Sequence, residues 1–291
     1  MPKFGLVMKG IPVRNMGTPR AATPADSFAV RSLSELTGGE EMRQEAHRHN
    51  FFYLLITARG AGEHIIDFTA YPVGNYTLFF MRPGQVHQLR LEADSTGYMI
   101  QFERQFYFLQ EKGFEHLLQK AASVNYYPLQ EGLFREVYTL VTAVFEEAAH
   151  GREGYREVIL AHLSILFARL IRQAAVRYEG SGNLYIQQRM QEFEALLEKY
   201  APFNKPVAAY AAMMHLSIYQ LNAIVKQMQG KTASQVISDY VVLEAKRRLL
   251  CTGETVARIA TALGFEDASY FIRFFKRHTG IAPEAFRRKC R

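Results

Sequence analysis

The sequence predicts an α+β fold: a β-rich N-terminal domain with a helical segment behind it, then an all-α C-terminal domain carrying two helix-turn-helix units. Three observations predict it. Short apolar stretches punctuated by Gly, Pro and Asn run to about residue 102. The apolar period then lengthens to that of helices. Finally, the net charge of +7 lies in the last third: residues 187–291 hold 16 basic and 9 acidic side chains, whereas residues 1–186 hold 19 of each.

Up to about Leu36 the chain is rich in Pro, Gly, Thr and Ala and reads as an irregular arm or a loose first strand. Phe51 to Thr57 is an apolar strand, Gly60 and Gly62 mark a turn, and Glu63 to Phe68 alternates. Gly74-Asn75 precedes Tyr76 to Met81, and Arg82-Pro83-Gly84 precedes His87 to Leu91 and Gly97 to Phe102. Strands of this length and spacing predict a sandwich or barrel over about 25–102.

Behind it, Leu133, Val137, Leu140, Val141, Val144, Phe145 and Ala148 form one helical stripe. Val158, Ile159, His162, Leu163, Leu166 and Leu170 form a second, and the helical segment closes near Tyr178. These helices pack on the barrel or form a subunit interface. Glu179-Gly180-Ser181-Gly182-Asn183 reads as a linker, placed at 179–186 between domains at 1–178 and 187–291.

From Ile186 onward the chain reads as all helix. Gln188 to Tyr200 ends at Ala201-Pro202, Val207 to Met214 follows, and Ser217 to Gln229 has a good N-cap in Ser217 and a good stop in Gly230. A longer helix spans about Ala233 to Leu250. After it, Ile259, Ala260 and Leu263 build a short helix that stops at Gly264. The next helix starts after Glu266 and Asp267, buries Phe271, Phe274 and Phe275, and leaves Ser269, Arg273, Lys276 and Arg277 outward. The plan from Val207 to Gly230 is thus repeated from Thr255 to Gly280.

A basic domain joined to a neutral one suggests polyanion binding beside a module with another task. Two cysteines, Cys251 and Cys290, are too few for a disulfide framework and lack metal-site spacing, which fits a reduced compartment. No apolar run is long enough to span a bilayer and no signal-peptide core is evident, so the expectation is a cytoplasmic protein without a membrane partner.

The ordered set Leu216-Ser217, Leu221, Lys226, Gly230, the run Leu243 to Leu250, Ile259-Ala260, Gly264-Phe265, Ser269-Tyr270-Phe271, Phe274-Phe275-Lys276, Thr279-Gly280 and Pro283 resembles the DNA-binding domain of AraC/XylS-family transcription regulators. The resemblance covers about a hundred residues and implies double-stranded DNA as partner, read in two successive major grooves about 34 Å apart. Carried over by position, the base-reading residues are Tyr219, Gln220, Asn222 and Ala223 in the first unit and Asp267, Ala268, Ser269, Ile272 and Arg273 in the second. Arg273 suits guanine, whose O6 and N7 its fork can engage together. Lys226 and Lys276 suit phosphates. Members often have a basic residue where this chain has Ala223, which weakens readout by the first unit or shifts it toward shape.

His47-Arg48-His49 with Arg82 to His87 resembles the cupin-like sensor domain of the same family, so the barrel is expected to be a cupin-like β-barrel. Metal-binding cupins add a Glu after the H-x-H pair, yet residues 50–58 hold no carboxylate. Three histidines can form a metal site, but the expectation is no metal and no cofactor, with His47, His49 and His87 contacting an effector or bracing the barrel. Arg59 lies where an arginine contacts sugar in the arabinose-responsive member, which makes it a further effector-contact candidate. The resemblance implies a homodimeric activator rather than an enzyme, controlled by a small-molecule effector and working with RNA polymerase. Two alternatives stay open: a metal-dependent cupin enzyme with a helical appendage, and a ligand-independent regulator whose barrel, filled with aromatics, serves only dimerisation.

Overall fold

The period-two patterning resolves into two five-stranded sheets in a computed structural model describing residues 12–14, 16, 27–107, 112–176, 184–200 and 206–290. In chain order the first unit contains β1 (Val13–Arg14), β2 (Phe28–Ser32), α1 (Leu33–Thr37), β3 (Met42–His49), β4 (Phe52–Arg59), β5 (Gly62–Ile66), β6 (Thr69–Val73), β7 (Thr77–Met81), β8 (Val86–Leu91) and β9 (Thr96–Phe102). There follow α2 (Arg104–Tyr107), α3 (Lys112–Ala122), β10 (Tyr126–Pro128), α4 (Glu131–His150) and α5 (Tyr155–Val176). One sheet has the order β1-β3-β8-β5-β6 and the other β10-β7-β4-β9-β2. These two sheets are the form taken by the expected barrel.

The apolar run of β4 is explained by burial on both faces. Tyr53 and Leu55 join Phe79, Met81, Leu89, Leu91 and Met99 in a core drawn from both sheets. Their neighbours Leu54 and Ile56 join Phe80, Ile100 and Phe102 in a second core, completed by α3, α4 and α5. Two glycines permit close backbone crossings. At Gly62 (φ 147°) and Gly97 (φ 146°), an added Cβ would lie 2.0 Å from Arg90 O and 1.9 Å from Ile56 O.

Several elements depart from the sequence reading. The arm read as irregular or as a loose first strand contains the strand β2 and, beyond that reading, the short helix α1. Strand β3 is polar in composition and invisible to a search for apolar runs. The alternation of 63–68 is cut at Ile66, because Asp67 (φ 45°) and Phe68 (φ 71°) turn the chain into β6. On α5 the buried side is Ile159, Leu160, Leu163, Leu166, Phe167 and Leu170, with Val158 instead 39% exposed.

The second unit lies within residues 178–291. Its elements are α6 (Leu184–Tyr200), α7 (Val207–Met213), α8 (Ile218–Gln229), α9 (Ala233–Cys251), α10 (Val256–Ala262), α11 (Ala268–Thr279) and α12 (Pro283–Cys290). Helix α6 therefore starts inside the segment assigned to the linker. Residues 179–183 of that linker, the Ala201-Pro202 stop and most of the N-terminal arm fall outside the described residues. Helix α12 continues the all-helical C-terminal part past Gly280. It packs Phe286 on Phe275, and Arg287 donates to the carbonyls of Leu249 and Glu254.

Candidate nucleic-acid interface and buried histidine cluster

The two helix-turn-helix units use the same local chemistry. Met214 is the C-cap of α7 and Leu263 that of α10, and in each case the next residue takes a left-handed φ, His215 at 54° and Gly264 at 77°. Leu216 N then reaches back to Ala211 O (2.9 Å), as Phe265 N does to Ala260 O (3.0 Å). Ser217 caps α8 and Asp267 caps α11. Both helices end in a left-handed glycine, Gly230 or Gly280, whose N–H bonds the carbonyl of Lys226 or Lys276.

Burial sets the outward faces. Helix α8 buries Leu221, Ile224 and Val225 and exposes Ile218, Tyr219 (82%), Ala223 and Lys226. Helix α11 buries Phe271, Phe274 and Phe275 and exposes Ser269, Tyr270, Ile272, Arg273, Lys276 and Arg277. The exposed tyrosine of α11 was not among the nominated readers.

Three nominated readers have structural work to do. Gln220 Oε1 accepts from Ser217 N (2.9 Å) and completes a capping box. Asn222 Nδ2 donates to Ile218 O (3.1 Å), while its Oδ1 accepts from Ala233 N (2.9 Å), tying α8 to the start of α9. Asp267 accepts from Ser269 N (2.8 Å) and Tyr270 N (3.1 Å). Those bonds, above all the one from Ser269, hold its carboxyl below the usual range. Ala268 occupies the first position of α11 and is half-buried. Part of the basic excess is likewise internal: Arg189 donates to Met214 O, and Glu244 pairs with Arg247 (3.6 Å) and Arg248 (2.9 Å).

In the first unit, His47, His49 and His87 do converge, and His64 joins them. The cause is topology. Strand β8 lies between β3 and β5, with His47 opposite His87 and His64 opposite Leu89. His47 and His49, two apart on β3, face the same side. The β3 register shifts between Gln44 and His47, and His47 Nδ1 bonds Glu45 O at 2.7 Å. His87 Nε2 lies 2.7 Å from His49 Nε2 and 3.0 Å from His47 Nε2, and its Nδ1 lies 2.8 Å from His64 Nε2. All four rings are buried.

Burial, the largest influence on each, pushes His47 down to about 4, His49 to about 3 and His64 to about 3. His87 falls well below the ordinary value for the same reason, reinforced by the other three histidines. Tyr53 completes the surroundings, its ring 5.5 Å from His49 and 5.4 Å from His87, with a buried hydroxyl that has no hydrogen-bond partner among the described residues. Tyr53 belongs to the 50–58 segment, which holds no carboxylate. The structure does not bring Arg59 to this group: it stands exposed at the end of β4, 3.9 Å from Asp94.

These two arrangements coincide with two family matches. The family model for the AraC-like ligand binding domain matches residues 37–193, and a helix-turn-helix domain model matches residues 210–289. The chain belongs to the AraC family of transcriptional regulators. It is thus an AraC-type DNA-binding regulator with an N-terminal ligand-binding domain. Among curated relatives, the HTH-type transcriptional activator RhaS of Pectobacterium atrosepticum is 24% identical over 252 residues, covering 84% of this chain and 88% of that protein. RhaS of Enterobacter sp. is 25% identical over 251 residues, covering 83% and 86%. Among solved structures, the C-terminal domain of the response regulator yesN from Fusobacterium nucleatum matches at 27% identity and a TM-score of 0.31, over 33% of this chain and 93% of that one. Among the described residues of this AraC-family chain, no helix is long and apolar enough to cross a membrane.

Proposed function

We propose that this chain is an effector-controlled transcriptional activator, not an enzyme, that works as a homodimer and reads two successive major grooves with α8 and α11. The observation carrying this reading is the division of α11, three phenylalanines inward and Ser269, Ile272, Arg273, Lys276 and Arg277 outward, in a helix whose counterpart α8 has matching caps. Helix α9 joins the two units and, at 19 residues, is about 28 Å long, which suits a spacing near one turn of duplex. Arg273 is the guanine reader, Tyr219 and Ser269 are further base contacts, and Lys226 and Lys276 hold phosphates. Activation rests on the RhaS relatives, which carry that description. For dimerisation the candidate surface is the outer side of α5, where Val158 and Ile165 are 39% and 50% exposed.

Aromatic filling between the sheets by Phe51, Tyr53 and Phe79 favours the alternative in which the first unit only dimerises. Four buried imidazoles weigh against it, since desolvating polar rings costs free energy that a purely structural core avoids. The test is selection of bound sequences from random DNA, followed by gel shifts on the selected site. Arg273→Ala is expected to cost about 1–3 kcal/mol, roughly 5- to 150-fold in affinity, and to relax preference at one base pair. Unchanged affinity and preference would overturn the assignment.

A further inference from the structure

Proton accounting in the histidine cluster leads beyond DNA binding. A carbonyl can only accept, so the 2.7 Å contact of His47 Nδ1 with Glu45 O places that ring's proton on Nδ1 and leaves Nε2 as a bare lone pair. His87 Nε2 faces this lone pair at 3.0 Å and His49 Nε2 at 2.7 Å. One proton on His87 Nε2 cannot make a full hydrogen bond to both. If His49 Nε2 carries the proton instead, it serves only its own contact and leaves the lone pairs of His87 and His47 facing each other, so one of the two Nε2 contacts lacks a full hydrogen bond in every neutral tautomer.

We infer that the first unit binds a first-row transition-metal dication of the zinc class through Nε2 of His47, His49 and His87, with His64 as the outer partner that orients His87. A dication accepts all three lone pairs at once. His87 Nδ1–H is then free to donate to His64 Nε2, 2.8 Å away, while His47 keeps its Nδ1–H on Glu45 O. Such outer hydrogen bonds fix the tautomer and ring orientation of ligating histidines.

The geometry fits. Three ligands at about 2.0–2.1 Å from a tetrahedral ion lie about 3.4 Å apart; here His87 Nε2 already lies 2.7 Å and 3.0 Å from the other two Nε2 atoms, and one ring nitrogen from each of the three histidines lies within 4.8 Å of the others. Opening the two short contacts by less than about 1 Å seats the ion. Donor chemistry selects the class, because imidazole without carboxylate suits zinc, copper, nickel and iron rather than calcium or magnesium.

The test uses the full chain, stripped with a chelator and titrated with ZnCl2 by calorimetry, with bound metal counted by mass spectrometry. One equivalent per chain is expected. His49→Leu should weaken binding by more than about 100-fold, whereas His116→Ala, at an exposed histidine on α3, should leave it unchanged. His64→Leu should weaken it by about 10- to 100-fold, and His64→Gln, whose amide oxygen can still accept from His87, should restore most of that loss. Thermal unfolding of each metal-free variant separates lost ligands from lost fold. No bound zinc in the folded wild-type chain, or binding that survives His49→Leu, overturns the site. Equal effects of His64→Leu and His64→Gln overturn the role of His64. DNA affinity is not read in this experiment, so its outcome is independent of the DNA-binding proposal.

Discussion

Replacing Asn222 with Ala should destabilise the second unit while leaving base preference in place. The side chain accepts from Ala233 N at 2.9 Å, and Ala233 is the first residue of α9, where no carbonyl of the same helix is available to its N–H. Ala233 is also fully buried, so water cannot replace the lost acceptor. A buried donor left without a partner costs about 1–3 kcal/mol, and the exposed bond to Ile218 O adds less. For a unit of roughly a hundred residues each kcal/mol lowers Tm by about 4–8 °C. Calorimetric scans of the full chain should therefore show the transition of this unit falling by roughly 5–20 °C. Asn222→Asp, which retains an acceptor oxygen for Ala233, should recover most of it. An unchanged Tm combined with altered sequence selection would refute the reasoning and make Asn222 a base reader.

Acid should weaken the metal-free first unit through its histidines. Their native pKa values lie below the unfolded value of about 6.5, so the unfolded chain binds more protons once the pH falls under 6.5, and stability is lost as pH drops toward 3–4. Between pH 7.5 and 5.5 each histidine contributes about 1.4 kcal/mol of loss, so His47, His49 and His64 together contribute about 4, with His87 acting in the same direction. Arg14, the nearby cation, reinforces this for His47 and His49. Urea midpoints at the two pH values, in the presence of a chelator, check it; equal midpoints would contradict neutral burial. Separately, Gly97→Ala should cost several kcal/mol or abolish folding, because its Cβ would meet Ile56 O at 1.9 Å from a backbone at φ 146°. Soluble yield and circular dichroism would show it.

Legibility tracked the range of the interactions involved. The helix-turn-helix units were readable because caps, turns and buried faces lie within a dozen residues: Ser217 to Gly230 and Asp267 to Gly280 each carry their own start, stripe and stop. The histidine cluster was half readable. His47 and His49 share a strand face by alternation, but His64 joins only because β5 pairs with β8, a fact of sheet order that spacing does not encode. Strand β3 is hard to read because its composition is polar, and Arg59 was nominated by position within a motif, which says nothing of its contacts. Nothing in residue type separates an asparagine that reads a base from one that caps a neighbouring helix.

That last ambiguity bears on how the two reading helices divide their work. In α8, Gln220 and Asn222 are held by Ser217 and Ala233, which leaves Tyr219, Ala223 and Lys226 as its outward nominated groups. At the start of α11, Asp267 is occupied by capping and the Ser269 hydroxyl is turned toward it, while Arg273, Lys276 and Arg277 remain outward. Hydrogen-bond readout needs side chains whose donors and acceptors are free to meet base edges. On the proposed mode of binding, α11 therefore supplies most of the direct readout. Helix α8, through the broad exposed ring of Tyr219 and the charge of Lys226, contributes apolar contact and phosphate register, so its half-site should tolerate sequence change that respects groove shape.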